Sequence, residues 1–131
     1  MSTTIAEYYT EELETWNQHI NSYRREMFEM ETRLAEVIHR NTIPNIADLV
    51  EEQQGRLNKV SIRFSRLLDQ FQKQKAALKQ NSNFIENTLI NVEIEKHQNA
   101  LRKFMQRSEK EYIDIKHECS GFISDILRKR K

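Results

Sequence analysis

Residues 6–37 read AEYYTEELETWNQHINSYRREMFEMETRLAEV. Within them Ala6, Tyr9, Leu13, Trp16, Ile20, Tyr23, Met27, Met30, Leu34 and Val37 follow one another at alternating steps of three and four. That spacing lays one seam along one side of a long helix. The residues between are mostly charged or polar, so such a helix needs partners with matching seams. The remainder of the chain supplies two.

The first helix is expected over residues 4–40. Thr4 caps it, with Glu7 three residues on, and Asn41-Thr42-Ile43-Pro44-Asn45 ends it, Asn41 taking the left-handed terminal position. The second is expected over 45–80 on the seam Ile46, Val50, Gln53, Leu57, Val60, Phe64, Leu67, Phe71, Gln74, Leu78, with Gly55 on its outer face. The third is expected over 84–130, capped by Ser82 or Asn83. Its early seam is Ile90, Ile94, His97, Leu101 and its late seam Met105, Ser108, Tyr112, Ile115, Cys119, Phe122, Ile126. The two meet with an extra step of four at Leu101 to Met105, a stutter that locally unwinds a supercoil.

Only two glycines and one proline occur in 131 residues, and 31% are charged. Few turns mean long elements, and alternating β-branched runs are missing. The expected fold is all-α: one domain over 1–131, an elongated up-down-up antiparallel three-helix bundle, coiled-coil-like, with roughly 36 residues per helix and on the order of 55 Å long. No internal repeat is apparent. The plan resembles spectrin-type repeats, and Trp16 stands roughly where those carry a tryptophan in their first helix. It also resembles the regulatory bundles of membrane-fusion proteins. The likeness is architectural and carries no family assignment.

A formal net charge of +1 gives no global field toward nucleic acid or anionic membrane. The single cysteine, Cys119, argues for no oxidising compartment, no stretch is apolar enough to span a bilayer, and the N-terminus lacks a leader pattern. A cytoplasmic location is expected.

Short-loop geometry sets position n of the first helix against about n + 79 on the third. Trp16 then lies near Leu67, Leu68, Ile94 and His97, and Tyr23 near Phe64 and Leu101. On that register residues 120–131 outlast the first helix. Phe122, Ile123, Ile126 and Leu127 would form an exposed apolar stripe closed by Arg128, Lys129, Arg130 and Lys131, a surface suited to a protein partner or a second copy. The competing arrangement is a lid of Ile43, Pro44 and Ile46 over the stripe.

Glu36-x-x-His39 and Asp114-x-x-His117 have the spacing of di-iron carboxylate bundles, at one height on the same register. Their helix phase points all four outward, so no metal site, cofactor or catalytic residue is assigned. A buried His97 reads as a hydrogen-bonded core group and Cys119 as an inert buried thiol. The expected function is a non-enzymatic helical interaction or scaffold module working through the end of the third helix. The alternatives are a metal-binding bundle on Glu36, His39, Asp114 and His117, or an anionic-surface binder using the basic tail. Nucleic acid is not an expected partner.

Overall fold

The computed structural model describes residues 4–40, 43–82 and 92–129, and these form three helices packed against one another: α1 (Ile5–Arg40), α2 (Ile46–Ser82) and α3 (Val92–Lys129). No strand occurs among the described residues, and the fold is an all-α three-helix bundle. None of the three helices has the run of apolar residues needed to cross a membrane.

The N-terminus of α1 follows from its cap: the Glu7 backbone N–H donates to Thr4 Oγ1 at 2.9 Å. Left-handed backbone falls at Asn45 (φ 64°), immediately before α2. Asparagine tolerates that conformation because its short side chain can hydrogen-bond locally. The positions expected to end α1 (Asn41) and cap α3 (Asn83), and the stretch 84–91 expected to open α3, lie outside the described residues. Ser82, the other candidate cap, is instead the last residue of α2.

The helices are shared between two compact units. Unit 1 takes Met1–Asn21 and Phe64–Arg107; unit 2 takes Ser22–Arg63 and Ser108–Lys131. Within unit 1 the core is Leu13 and Ile20 of α1, Phe64, Leu67, Phe71, Gln74 and Leu78 of α2, and Ile94, Gln98, Leu101 and Met105 of α3. Trp16 packs on Phe71, ring centroids 5.5 Å apart. Within unit 2 the core is Met27, Met30, Leu34 and Val37, then Ile46, Val50, Leu57 and Val60, then Ser108, Tyr112, Ile115, Cys119, Ile123 and Ile126.

The seams of α1 and α2 are those the spacing predicts. The seam of α3 differs at two points. Gln98 is fully buried and its neighbour His97 only partly so. The run 94, 98, 101, 105 is therefore regular, with no stutter at Leu101–Met105. The consecutive steps of four come instead on the late seam, from Ile115 to Cys119 and from Cys119 to Ile123, which puts Ile123 in the core and Phe122 at its edge.

Side-chain pairs give direction and register in each unit. In unit 1, Glu14 pairs with Lys75 and Glu12 with Arg102. In unit 2, Arg56 pairs with Glu118 and Arg63 with Glu111, so α2 and α3 run antiparallel. Tyr23 reaches Glu109 while Glu26 reaches Tyr112 and Lys116, so α1 and α3 run parallel. Partners on α1 and α3 are 86 to 90 positions apart, not about 79 as short-loop geometry suggests. The difference is about two turns of α3 or more. Within unit 2, Tyr23 packs on the ring of Tyr112, centroids 4.7 Å apart.

Candidate functional site

The register correction acts first on the end of α3. Arg40, the last residue of α1, comes level with residues near 128, so 120–129 have α1 beside them. Ile123 and Ile126 are each 5% exposed, packed into the core of unit 2. Phe122 is half-buried. Leu127 stays 50% exposed, and Arg128 is exposed and pairs with Asp125 at 3.3 Å. Lys129 ends α3; Arg130 and Lys131 lie outside the described residues. The apolar stripe of Phe122, Ile123, Ile126 and Leu127 does not project beyond its partners. What stays open at this end of unit 2 is Leu127 together with Ile38 (38% exposed) and Leu49 (41% exposed). The ion pair Arg56–Glu118 sets Leu49 level with about residue 125, and the Glu26–Lys116 pair sets Ile38 level with about 124–128.

The carboxylate–histidine constellation is not assembled. Glu36, His39, Asp114 and His117 are all exposed. The register separates His39 from His117 by about ten residues, or about 15 Å along the helix axis. No group of three or more potential ligands converges among the described residues. Asp114 lines a groove of about 340 Å³ between α2 and α3 with Arg56, Lys59, Glu111, Ile115 and Glu118. Glu118 and Glu111 are already paired there with Arg56 and Arg63, and exposed pairs of this kind contribute little stability.

Buried polar chemistry is found where apolar spacing gives no sign of it, between α1 and α3. In unit 1, Arg102 grips Glu12 with two bonds, Nε to Oε2 at 2.8 Å and Nη2 to Oε1 at 2.7 Å. Gln98 Nε2 donates to the same carboxylate at 2.9 Å and to the Tyr9 carbonyl at 3.2 Å. The amide of Gln98 is itself fixed by α2. Gln74 Nε2 donates to the Ile94 carbonyl and to Gln98 Oε1, both at 3.0 Å. A carbonyl can only accept, so the Gln74 atom facing Ile94 must be its NH2. Its oxygen then faces His97 Nδ1 at 2.8 Å, and His97 must be the donor. The bonds run one way, from His97 through Gln74 and Gln98 to Glu12.

In unit 2 the arrangement is reciprocal. Tyr23 donates to Glu109 Oε2 and Tyr112 to Glu26 Oε1, each at 2.7 Å, and Lys116 donates to Glu26 Oε2 at 3.0 Å. Burial and the adjacent carboxylates push both phenols well above the ordinary tyrosine range. Burial alone would raise the Glu12 carboxyl, but the bonds from Arg102 and Gln98 and the Arg102 charge hold it below the ordinary glutamate value. The Tyr112 bond leads in holding Glu26 low, against burial and with Lys116. Cys119 is fully buried, and burial raises its thiol.

The two clasps repeat at a spacing of 14. Tyr9 and Glu12 become Tyr23 and Glu26 on α1; Glu95, Gln98 and Arg102 become Glu109, Tyr112 and Lys116 on α3. This two-heptad repeat was legible as Tyr-x-x-Glu on α1 and Glu-x-x-(Gln/Tyr)-x-x-x-(Arg/Lys) on α3. It escapes a reading of apolar positions because, apart from the tyrosines already on the seams, its members are polar.

No family model, curated protein or solved structure matches the chain.

Proposed function

We propose that the chain is a non-enzymatic helical protein–protein interaction module, and that its contact is the end of unit 2 where α3 finishes. The observation that carries this reading is the set Ile38, Leu49 and Leu127, one from each helix, at one level and each more than a third exposed. Exposed apolar side chains at one level of a bundle favour a partner that removes them from water. Arg128, exposed beside Leu127, supplies a polar rim, the usual surround of such a contact. Cys119 is sealed in the core and His97 donates to Gln74.

The test is the solution mass of the purified chain with and without Leu127→Glu and Leu49→Glu. The reading expects an assembly larger than one chain that the double substitution reduces to a monomer, with helicity kept. A parent protein that is monomeric, or a mass unchanged by both substitutions, would remove self-association through this end.

A further inference from the structure

Heptad seams alone do not fix how far one helix is displaced along another, because a slip of seven residues restores apolar contact. The parallel pair α1 and α3 faces this ambiguity directly. On α3 the residues at seven-residue intervals through the clasps are Glu95, Arg102, Glu109 and Lys116, alternating in sign. In the observed register the two cations meet Glu12 and Glu26. A slip of one heptad in one direction would bring Glu95 to Glu12 and Glu109 to Glu26. A slip in the other direction would bring Glu109 to Glu12 and Ile123 to Glu26. Each displacement replaces at least one attraction with like charges at a partly buried site, where repulsion is poorly screened.

We propose that Glu12 and Glu26, with Gln98, Arg102, Tyr112 and Lys116, form a register lock that admits one alignment of α3 on α1 and rejects alignments one heptad away. The lock contains both an attraction and a penalty, the combination by which helix pairs select a partner alignment. Buried polar groups are best attested in this role of fixing register. The charged pairs contributed by α2, Lys75 with Glu14 in unit 1 and Arg56 and Arg63 with Glu118 and Glu111 in unit 2, are exposed or half-exposed and form outside these clasps.

Spin-label distances test the lock. In a Cys119→Ala background, Thr15→Cys with Lys103→Cys reports on unit 1, and Glu29→Cys with Lys110→Cys on unit 2; all four positions are exposed. The parent should give one narrow distance distribution for each pair. Glu12→Gln with Glu26→Gln keeps the apolar seams and removes the charges. It should add a second population displaced by about 10 Å along the helix. The exchanged variant, Glu12→Arg with Arg102→Glu and Glu26→Lys with Lys116→Glu, should return each pair toward one distribution if Glu95 and Glu109 are also changed to Lys. A glutamine variant with the parent's single distributions would overturn the proposal. If the glutamine variant does not fold, an exchanged variant that also fails to recover the parent's distances would overturn it.

Discussion

In unit 1 the polar side chains that join the helices inside the bundle are amides, Gln74 and Gln98; in unit 2 those that join α1 to α3 are phenols, with Tyr112 buried and Tyr23 at its face, while Ser108 and the Oε1 of Gln53 are buried there as well. Both layers end on a glutamate of α1 and a cation of α3. The amide layer involves all three helices, because an amide both donates and accepts and Gln98 bonds to α1 and α2 together. A phenol donates one proton: Tyr112 gives its proton to Glu26 and Tyr23 gives its proton to Glu109, so these two bonds run between α1 and α3. The same repeat thus carries amides in one unit and phenols in the other. The choice of Gln or Tyr at one seam position makes the difference.

The largest expected effect separates ring packing from hydrogen bonding. Tyr112→Ala should cost about 3–5 kcal/mol in denaturant unfolding, through loss of a fully buried ring. Tyr112→Phe should cost about 1–2 kcal/mol, leaving Glu26 with Lys116 alone. A phenylalanine variant as damaging as the alanine variant would contradict the division of labour.

The amide layer should behave otherwise. Gln98→Leu alone leaves Gln74 short of an acceptor inside the core and should cost about 1–3 kcal/mol. Gln74→Leu together with Gln98→Leu should cost less than the single change, since both faces become apolar. Additive losses in the double variant would count against the one-way chain of bonds.

Acid titration addresses the feature the two units share. Glu12 and Glu26 titrate lower in the folded chain than in the unfolded one. Their stabilisation is therefore complete above the ordinary glutamate value of about 4.3 and is lost as pH falls through the lower folded values. Thermal midpoints should decline across that window, and Glu12→Gln with Glu26→Gln should flatten the decline. An equally steep decline in the variant would assign the effect to other carboxylates.

The smallest expected effect lies outside both layers. Gly55 is exposed within α2, and a methyl added there meets nothing within 4 Å. Gly55→Ala should raise stability by about 0.5–1 kcal/mol through helix propensity alone. No gain would mean that this position is occupied by something else in solution.

Helix number, direction and two of three seams were legible because apolar spacing is a local property, and on α1 and α2 it runs without ambiguity. On α3 the ambiguity was real. His97 and Gln98 are adjacent polar residues, and only the partners of Gln98 on α1 and α2 bring it inside. Phe122 and Ile123 are adjacent apolar residues, and the choice between them depends on a second consecutive step of four. Register was the larger miss. Loop length sets register only when helix ends are known, and residues 84–91, expected to open α3, lie outside the described residues. The displacement carried the apolar stripe of 122–127 from a projecting end into the core. Polar residues held the missing information: Glu12 opposite Arg102 and Glu26 opposite Lys116 fix the offset at 90.

Zero-length carbodiimide crosslinking of the monomeric fraction, read by peptide mass spectrometry, measures that offset directly. The account predicts links from Glu26 to Lys116 and from Glu14 to Lys75. Links from Glu26 to Lys103 in place of Lys116 would contradict it.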